Sequence, residues 1–211
     1  MLNKKVGKHN QIPSIWSKVH PQTAPIIHVQ INRLKYHLRL HWLPNSKQYP
    51  ESVSEYDEIK SRLIKLLSCV YGENISLKCI ITIFNSDQVD IDNVAEINNY
   101  IYKTLEIKDL EILESINLGK QAELTNFYDD NNESPILAKF LVTKSSLNHS
   151  HFASIIKTTV NGSLFNTFFM CEENSAVVAI YEGGFDLIVS TESEKQILMA
   201  KFQDWLPRKY K

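Results

Sequence analysis

The chain has 211 residues, of which 43% are hydrophobic and 22% are charged, and its formal net charge is −1. These values are typical of a globular protein, and six Gly and seven Pro are too few for a disordered or linker-rich chain. No apolar run approaches the roughly 20 residues of a membrane span, and residues 1–11 lack the apolar segment of a secretory signal, so we expect a cytoplasmic protein.

The amino-terminal part predicts an arm followed by a strand. Prolines at positions 13, 21 and 25 interrupt regular structure. From residue 28 to residue 42 apolar and polar residues alternate, which predicts a strand with a water-facing side at His37, Arg39 and His41. We therefore expect residues 1–27 to form a basic arm packed on a single α+β domain of residues 28–211. The predicted inward-facing side chains are Tyr36, Leu38, Leu40 and Trp42.

A helix and a strand are predicted next. Ser54 and Asp57, three residues apart, form a variant capping box that begins a helix. Apolar residues at positions 59, 63, 66, 67 and 70 form its buried stripe, and Gly72 is placed to end it. The Ile-rich segment Ile75–Phe84 then predicts a strand.

The middle of the chain gives weaker patterns. Asp92–Leu105 carries apolar residues at helical spacing, whereas Leu110–Leu124 fits neither a helix nor a strand clearly. Pro135–Thr143 predicts a strand, and Asn148 is predicted to cap a helix that ends at Gly162.

The last fifty residues predict an antiparallel meander and a final helix. The strands are expected at Leu164–Cys171, Ala176–Tyr181 and Phe185–Ser190. Thr191 and Glu194 form a capping box, and the proline at position 207 stops the helix. The whole pattern predicts a single α+β domain with a mostly antiparallel sheet, a carboxy-terminal meander and several packed helices.

No motif predicts catalysis, a cofactor or a metal. The cysteines at positions 69, 79 and 171 lie in apolar sequence without a C-x-x-C pair, which favours buried free thiols. His37 and His41 share a strand face, but a divalent ion needs a third ligand, and His149 and His151 fit an exposed helix start better than ligation. Neither a nucleophile elbow nor a phosphate-binding loop occurs, and Gly183 with Gly184 predicts a turn.

The charge is separated along the chain. Residues 1–50 hold eight Lys/Arg and no acid, whereas residues 87–133 hold twelve acids and three bases. If the two stretches do not lie against each other, they form a basic face and an acidic face that steer charged partners; otherwise they are ordinary solvated charges. The basic stretch also fits RNA binding, which the sequence pI of 6.7 disfavours. The candidate partner-binding acids are Asp109, Glu111, Glu114, Asp129, Asp130 and Glu133.

The carboxy-terminal run AVVAIYEGGFDLIVS and the upstream run PIIHVQINRLKYHLRL resemble a family of bacterial domains of unknown function. Members typically carry Y-D-D-R-G-x-D-x-I in the hairpin and an entry strand written around L-R-F-E-L. This chain is one residue shorter in the hairpin, has Glu182 for the first Asp and lacks the motif arginine. The positions that match the family are Leu38, Arg39, Leu40, Tyr181, Glu182, Gly184 and Asp186.

Some members of this family resemble immunity proteins encoded beside toxins of contact-dependent competition systems. The resemblance implies a cytoplasmic, non-enzymatic inhibitor whose partner is a cognate toxin domain, with nucleases among the candidate toxins. The missing arginine favours such a binding role. The rival hypotheses are a hydrolase or nuclease that uses His37, His41 or the carboxylates near Asp129, and an RNA-binding protein that uses Lys35 and Arg39. The oligomeric state does not follow from the sequence.

Overall fold

The computed structural model describes residues 34–72, 77–84, 103, 112–120, 137–143, 149–161, 166–171 and 173–208. These residues include seven strands in one sheet and three α-helices, which confirms the expected α+β class. The strands are β1 (His37–His41), β2 (Lys78–Phe84), β3 (Ile112–Lys120), β4 (Leu137–Thr143), β5 (Asn166–Met170), β6 (Val177–Tyr181) and β7 (Gly184–Ile188). The helices are α1 (Val53–Tyr71), α2 (His149–Val160) and α3 (Glu192–Lys201), with 3-10 turns at Pro44–Ser46 and Gln203–Trp205.

The described strands run in the order β1-β7-β6-β5-β2-β4-β3, and every neighbouring pair is antiparallel. The predicted meander is confirmed as β5, β6 and β7. The segment Leu110–Leu124, which the sequence left open, contains β3. Its pairing with β4 has two register irregularities, so the alternation that identifies a strand is interrupted.

The helices pack on one face of the sheet and form the main core with it. Four of the five residues of the predicted α1 stripe are buried there, and Val70, at the end of the stripe, is half-buried. The core side chains from the three helices are Ile59, Leu63, Leu66, Leu67, Tyr71, Phe152, Ile155, Ile156, Val160 and Leu198. From the sheet they meet Leu38, Leu40, Cys79, Ile81, Phe169, Val178, Ile180, Phe185 and Leu187.

The opposite face of the sheet is also buried along its middle. Ile80, Phe168, Ala179 and Asp186 all have no exposed surface, and the strand register places them in one row across β2, β5, β6 and β7. Side chains in one row project from the same face. The next position in the row, on β1, is Arg39.

The ends of α1 and α3 follow local capping rules, with one correction. α1 begins two residues earlier than predicted, because the Ser52 side chain, and not that of Ser54, accepts the backbone N–H of Glu55. Gly72 ends the helix at a φ of 85° as predicted, because this left-handed conformation is easy only for glycine. The capping box of α3 at Thr191 is confirmed.

The beginning of β1 also differs from the prediction. Residues 34–36 form a bend and a turn, and Tyr36 has a φ of 62°, so the strand begins at His37. Tyr36 is therefore not part of the alternating pattern, whereas Leu38 and Leu40 face the core as predicted. His37, Arg39 and His41 are half-buried rather than fully wet.

Several predictions lie outside the described residues. They are the basic arm at residues 1–27, the strand before residue 34, the helix at Asp92–Leu105 apart from Lys103, and the caps at Asn148 and Gly162. The three cysteines, all within the described residues, form no disulfide; Cys79 and Cys171 are buried and Cys69 is only half-buried. Of the helices in the described part of the chain, none is long and apolar enough to cross a membrane.

Candidate functional site

A buried carboxylate, Asp186, lies at the centre of a polar cluster between β1 and β7. Arg39 donates from Nε to Oδ1 and from Nη2 to Oδ2, both over 2.8 Å. His37 contributes a third hydrogen bond from Nε2 to Oδ1, also over 2.8 Å. The Arg39 guanidinium and the Asp186 carboxylate thus meet in the bidentate arrangement that gives the strongest ion pairs. We call Asp186, Arg39, His37 and Tyr181 the β1–β7 cluster.

Strand pairing brings the cluster together. Arg39 and Asp186 are direct cross-strand partners, and His37 lies two positions along the same strand face as Arg39. The guanidinium carbon of Arg39 also lies 4.4 Å from the ring centroid of Tyr181, the last residue of β6. Arg39 is therefore fixed both by a carboxylate and by an aromatic face.

The electrostatics keep Asp186 ionised. Its side chain is fully buried, and burial alone acts to raise the pKa of a carboxyl group. The hydrogen bonds from Arg39 and His37 outweigh that effect and hold the pKa of Asp186 below its ordinary value. For the Tyr181 hydroxyl the pKa is raised, because burial disfavours the charged form.

The turn between β6 and β7 depends on two glycines. Gly183 has a φ of 105°, a conformation that residues with a Cβ rarely adopt. Gly184 has ordinary backbone angles but no free space, since an added Cβ would collide with the Leu40 carbonyl oxygen and approach the Tyr181 hydroxyl to 2.8 Å. A glycine at position 184 thus allows β1 to approach β7 closely enough for the cluster to form.

The protonation state of the cluster limits its chemistry. An ionised carboxylate only accepts hydrogen bonds, so Nε2 of His37 carries a proton. The His37 side chain is 13% exposed and that of Arg39 is 29% exposed. The cluster fixes the His37 imidazole and the Arg39 guanidinium in position. This arrangement can hold β1 and β7 together, and it can also orient an imidazole that acts as a general base.

Among the described residues, no group of three or more His, Cys, Asp and Glu side chains is arranged to hold a metal ion. His37 and His41, for which the sequence predicts no metal site, share a face of β1, and His37 is hydrogen-bonded to Asp186. Arg39 is neutralised by the same carboxylate, which lowers the charge that it offers to a nucleic-acid phosphate.

The structure brings together most of the residues that the sequence resemblance singled out. Asp186, Arg39 and Tyr181 form the β1–β7 cluster, Leu38 and Leu40 lie in the core beneath it, and Gly184 makes the close approach possible. Glu182 lies in the turn and accepts a hydrogen bond from the Tyr49 hydroxyl.

The candidate partner-binding acids are not part of this cluster. Glu114 lies on β3, at the other end of the described strand order. Asp109, Glu111, Asp129, Asp130 and Glu133 lie outside the described residues.

Sequence reasoning missed the contact between His37 and Asp186. The two residues are 149 positions apart, so no local pattern connects them. A lone acid within the apolar run F-D-L-I was the available signal, because a charged side chain on a buried strand requires a partner.

Comparisons with curated proteins and with solved structures give no match. The expected membership of a family of domains of unknown function is confirmed by a family model that covers most of the chain. Residues 26–209 match the model described as "Domain of unknown function (DUF3885)", and the chain belongs to this family.

Proposed function

We propose that this protein is an immunity protein that binds a cognate bacterial toxin domain in the cytoplasm and neutralises it without catalysing a reaction. Two things support the proposal: the resemblance of the chain to a family in which some members resemble immunity proteins, and the uneven distribution of charge along the chain. The arrangement of charges is the observation that carries it.

The sheet keeps one charge of the basic stretch far from one charge of the acidic stretch. Arg39 on β1 and Glu114 on β3 occupy opposite ends of the described strand order. Six inter-strand spacings of about 4.8 Å separate the two positions by roughly 29 Å. This separation exceeds the screening length of about 8 Å at physiological salt, so Arg39 and Glu114 do not neutralise each other.

The acidic stretch is continuous with β3 in the sequence. Residues 87–133 hold twelve acids and three bases, and β3 covers positions 112–120 of that stretch. Toxin nucleases are commonly basic, because they bind phosphates. An acidic surface that occupies the same cations inhibits such an enzyme by competition and accelerates association through long-range attraction.

Binding to the polypeptide encoded immediately upstream of this chain tests the proposal. The two proteins are co-expressed with a tag on one of them, and the affinity of the purified complex is measured by calorimetry. We expect a complex that survives purification and weakens as salt is added. Absence of a complex at micromolar concentrations of both proteins contradicts the proposal.

A variant in which acids of residues 87–133 are neutralised tests whether this stretch contributes to binding. Neutralising three acids of the stretch should weaken binding at least tenfold at low salt, whereas neutralising three exposed acids elsewhere should change it less than threefold, on the scale of rim charges. The test variant is Asp129→Asn/Asp130→Asn/Glu133→Gln. The matched control is Glu173→Gln/Glu192→Gln/Asp204→Asn, at positions that the structure shows to be exposed.

The contact between His37 and Asp186 favours a second candidate, a hydrolase or nuclease. A carboxylate that fixes the tautomer of an imidazole is the arrangement that general bases use. His37→Gln should abolish the hydrolysis of single-stranded RNA or DNA oligonucleotides on this hypothesis. If wild-type protein does not cleave these oligonucleotides, nuclease activity on them is excluded.

A further inference from the structure

Two exposed apolar side chains lie close together in sequence where the chain enters α1. Tyr49 is 49% exposed and Val53 is 79% exposed, and they are four positions apart. The remaining exposed large hydrophobic residue of the described chain is Ile197 on α3, with 62% exposed. Exposed apolar side chains that occur near each other mark interaction sites more often than single ones do.

The segment that carries Tyr49 is held rigid by its own hydrogen bonds. The Trp42 indole donates to the Gln48 carbonyl over 2.9 Å, and the Tyr49 hydroxyl donates to Glu182 in the β6–β7 turn. Lys47 binds Glu55 on α1 over 2.7 Å. Such a segment loses little conformational entropy on binding, because its side chains are already ordered.

Acidic residues flank the two apolar side chains in the sequence. Residues 43–58 contain four acids and a single lysine, and that lysine is bound by two of the acids. Glu51 has 81% of its side chain exposed, and Asp57 follows Val53 by one helical turn on the same side of α1. We call Tyr49, Val53, Glu51, Asp57 and Glu182 the entry surface.

We infer that the entry surface is the site where the partner of the proposed function docks, and that the partner presents an apolar pocket rimmed by Lys and Arg. Tyr49 and Val53 are the apolar anchors and the acids form the rim, which is the composition of strong protein interfaces. Charge complementarity selects the basic partner. This inference rests on the proposed function, and it adds an apolar contact on α1 and the β6–β7 turn to the acidic contribution of residues 109–133.

Affinity measurements with the upstream-encoded polypeptide test the inference on the full-length chain. Tyr49→Ser/Val53→Ser should weaken binding by about 30-fold or more, the scale on which anchor residues act. The matched control Ile197→Ser removes an equally exposed apolar side chain elsewhere and should change affinity less than twofold. Tyr49→Phe, which keeps the ring and loses the bond to Glu182, should fall between the two.

The outcomes separate the two proposals. A complex that keeps its affinity in Tyr49→Ser/Val53→Ser overturns the entry surface and leaves the proposed function standing. If no complex forms with the wild-type chain, the proposed function fails and the entry surface fails with it. Because Tyr49 and Val53 are exposed, the thermal midpoint of the double variant should match that of the wild type within about 2 °C. If the thermal midpoint of the double variant shifts by more than this, the affinity of Tyr49→Phe decides the test. The inference then stands only if Tyr49→Phe binds the partner more weakly than the wild type does.

Discussion

Removing the charge of Asp186 should destabilise the protein more than removing any surface charge. Asp186→Asn keeps the shape of the side chain but places an amide N–H against donors of Arg39 or His37. One donor of the cluster then loses its acceptor, and Arg39 loses the carboxylate charge that faces it. The variant therefore tests whether the β1–β7 cluster holds the two strands together.

The expected magnitude follows from burial. Breaking a buried ion pair by removing one partner costs about 3–5 kcal/mol. Arg39 is 29% exposed, so water partly replaces the lost carboxylate, and we expect about 2–4 kcal/mol for Asp186→Asn. Glu58→Gln is the matched control, because it removes a carboxylate that pairs with Arg62 but is 47% exposed. That change should cost less than about 1 kcal/mol.

Urea unfolding followed by circular dichroism measures both variants. The free energy of unfolding should fall by the expected amount for Asp186→Asn with an unchanged urea dependence. Adding Arg39→Met to Asp186→Asn should cost less than the sum of the two single changes, because the two residues are coupled. A loss below about 1 kcal/mol for Asp186→Asn, or additive costs in the double variant, would refute the structural role of the cluster.

Three further predictions concern acid, the hairpin and the helix cap. The folded protein holds the pKa of Asp186 below the ordinary carboxyl value of 3.8, so the ionised side chain contributes its full stability above pH 3.8. That contribution is lost as pH falls through the folded-state pKa. The urea midpoint should therefore fall more steeply on acidification for the wild type than for Asp186→Asn. Gly184→Ala forces β1 away and should cost about 3 kcal/mol, whereas Gly183→Ala strains only the turn and should cost about 1–2 kcal/mol in the same unfolding assay. Ser52→Ala should lower the unfolding free energy by about 1 kcal/mol and Ser54→Ala by almost nothing; the reverse order would show that Ser54 is the cap.

The elements that were predicted correctly depend on signals close together in sequence. The stripe of α1, the glycine that ends it, the meander of β5 to β7 and the capping box of α3 all follow from spacings of a few residues. The start of β1 was wrong because Tyr36 adopts a positive φ that no residue type in Lys35–Tyr36 signals. β3 was ambiguous because its register with β4 is irregular.

The β1–β7 cluster was not predictable in the same way. The ion pair joins residues 147 positions apart, and the strand order that makes them neighbours depends on the whole sheet. The sequence showed a hairpin without the arginine expected from the family resemblance. In the folded protein, Arg39 from β1 nevertheless places a guanidinium on Asp186, so this carboxylate does have an arginine partner.

Growth of cells that produce the upstream-encoded polypeptide tests the central claim most directly. The polypeptide is expressed from an inducible promoter, with and without this chain, and growth is measured after induction. An immunity protein predicts arrested growth with the polypeptide alone and restored growth when this chain is also produced. Arrest that persists although both proteins are present at comparable levels would contradict the account.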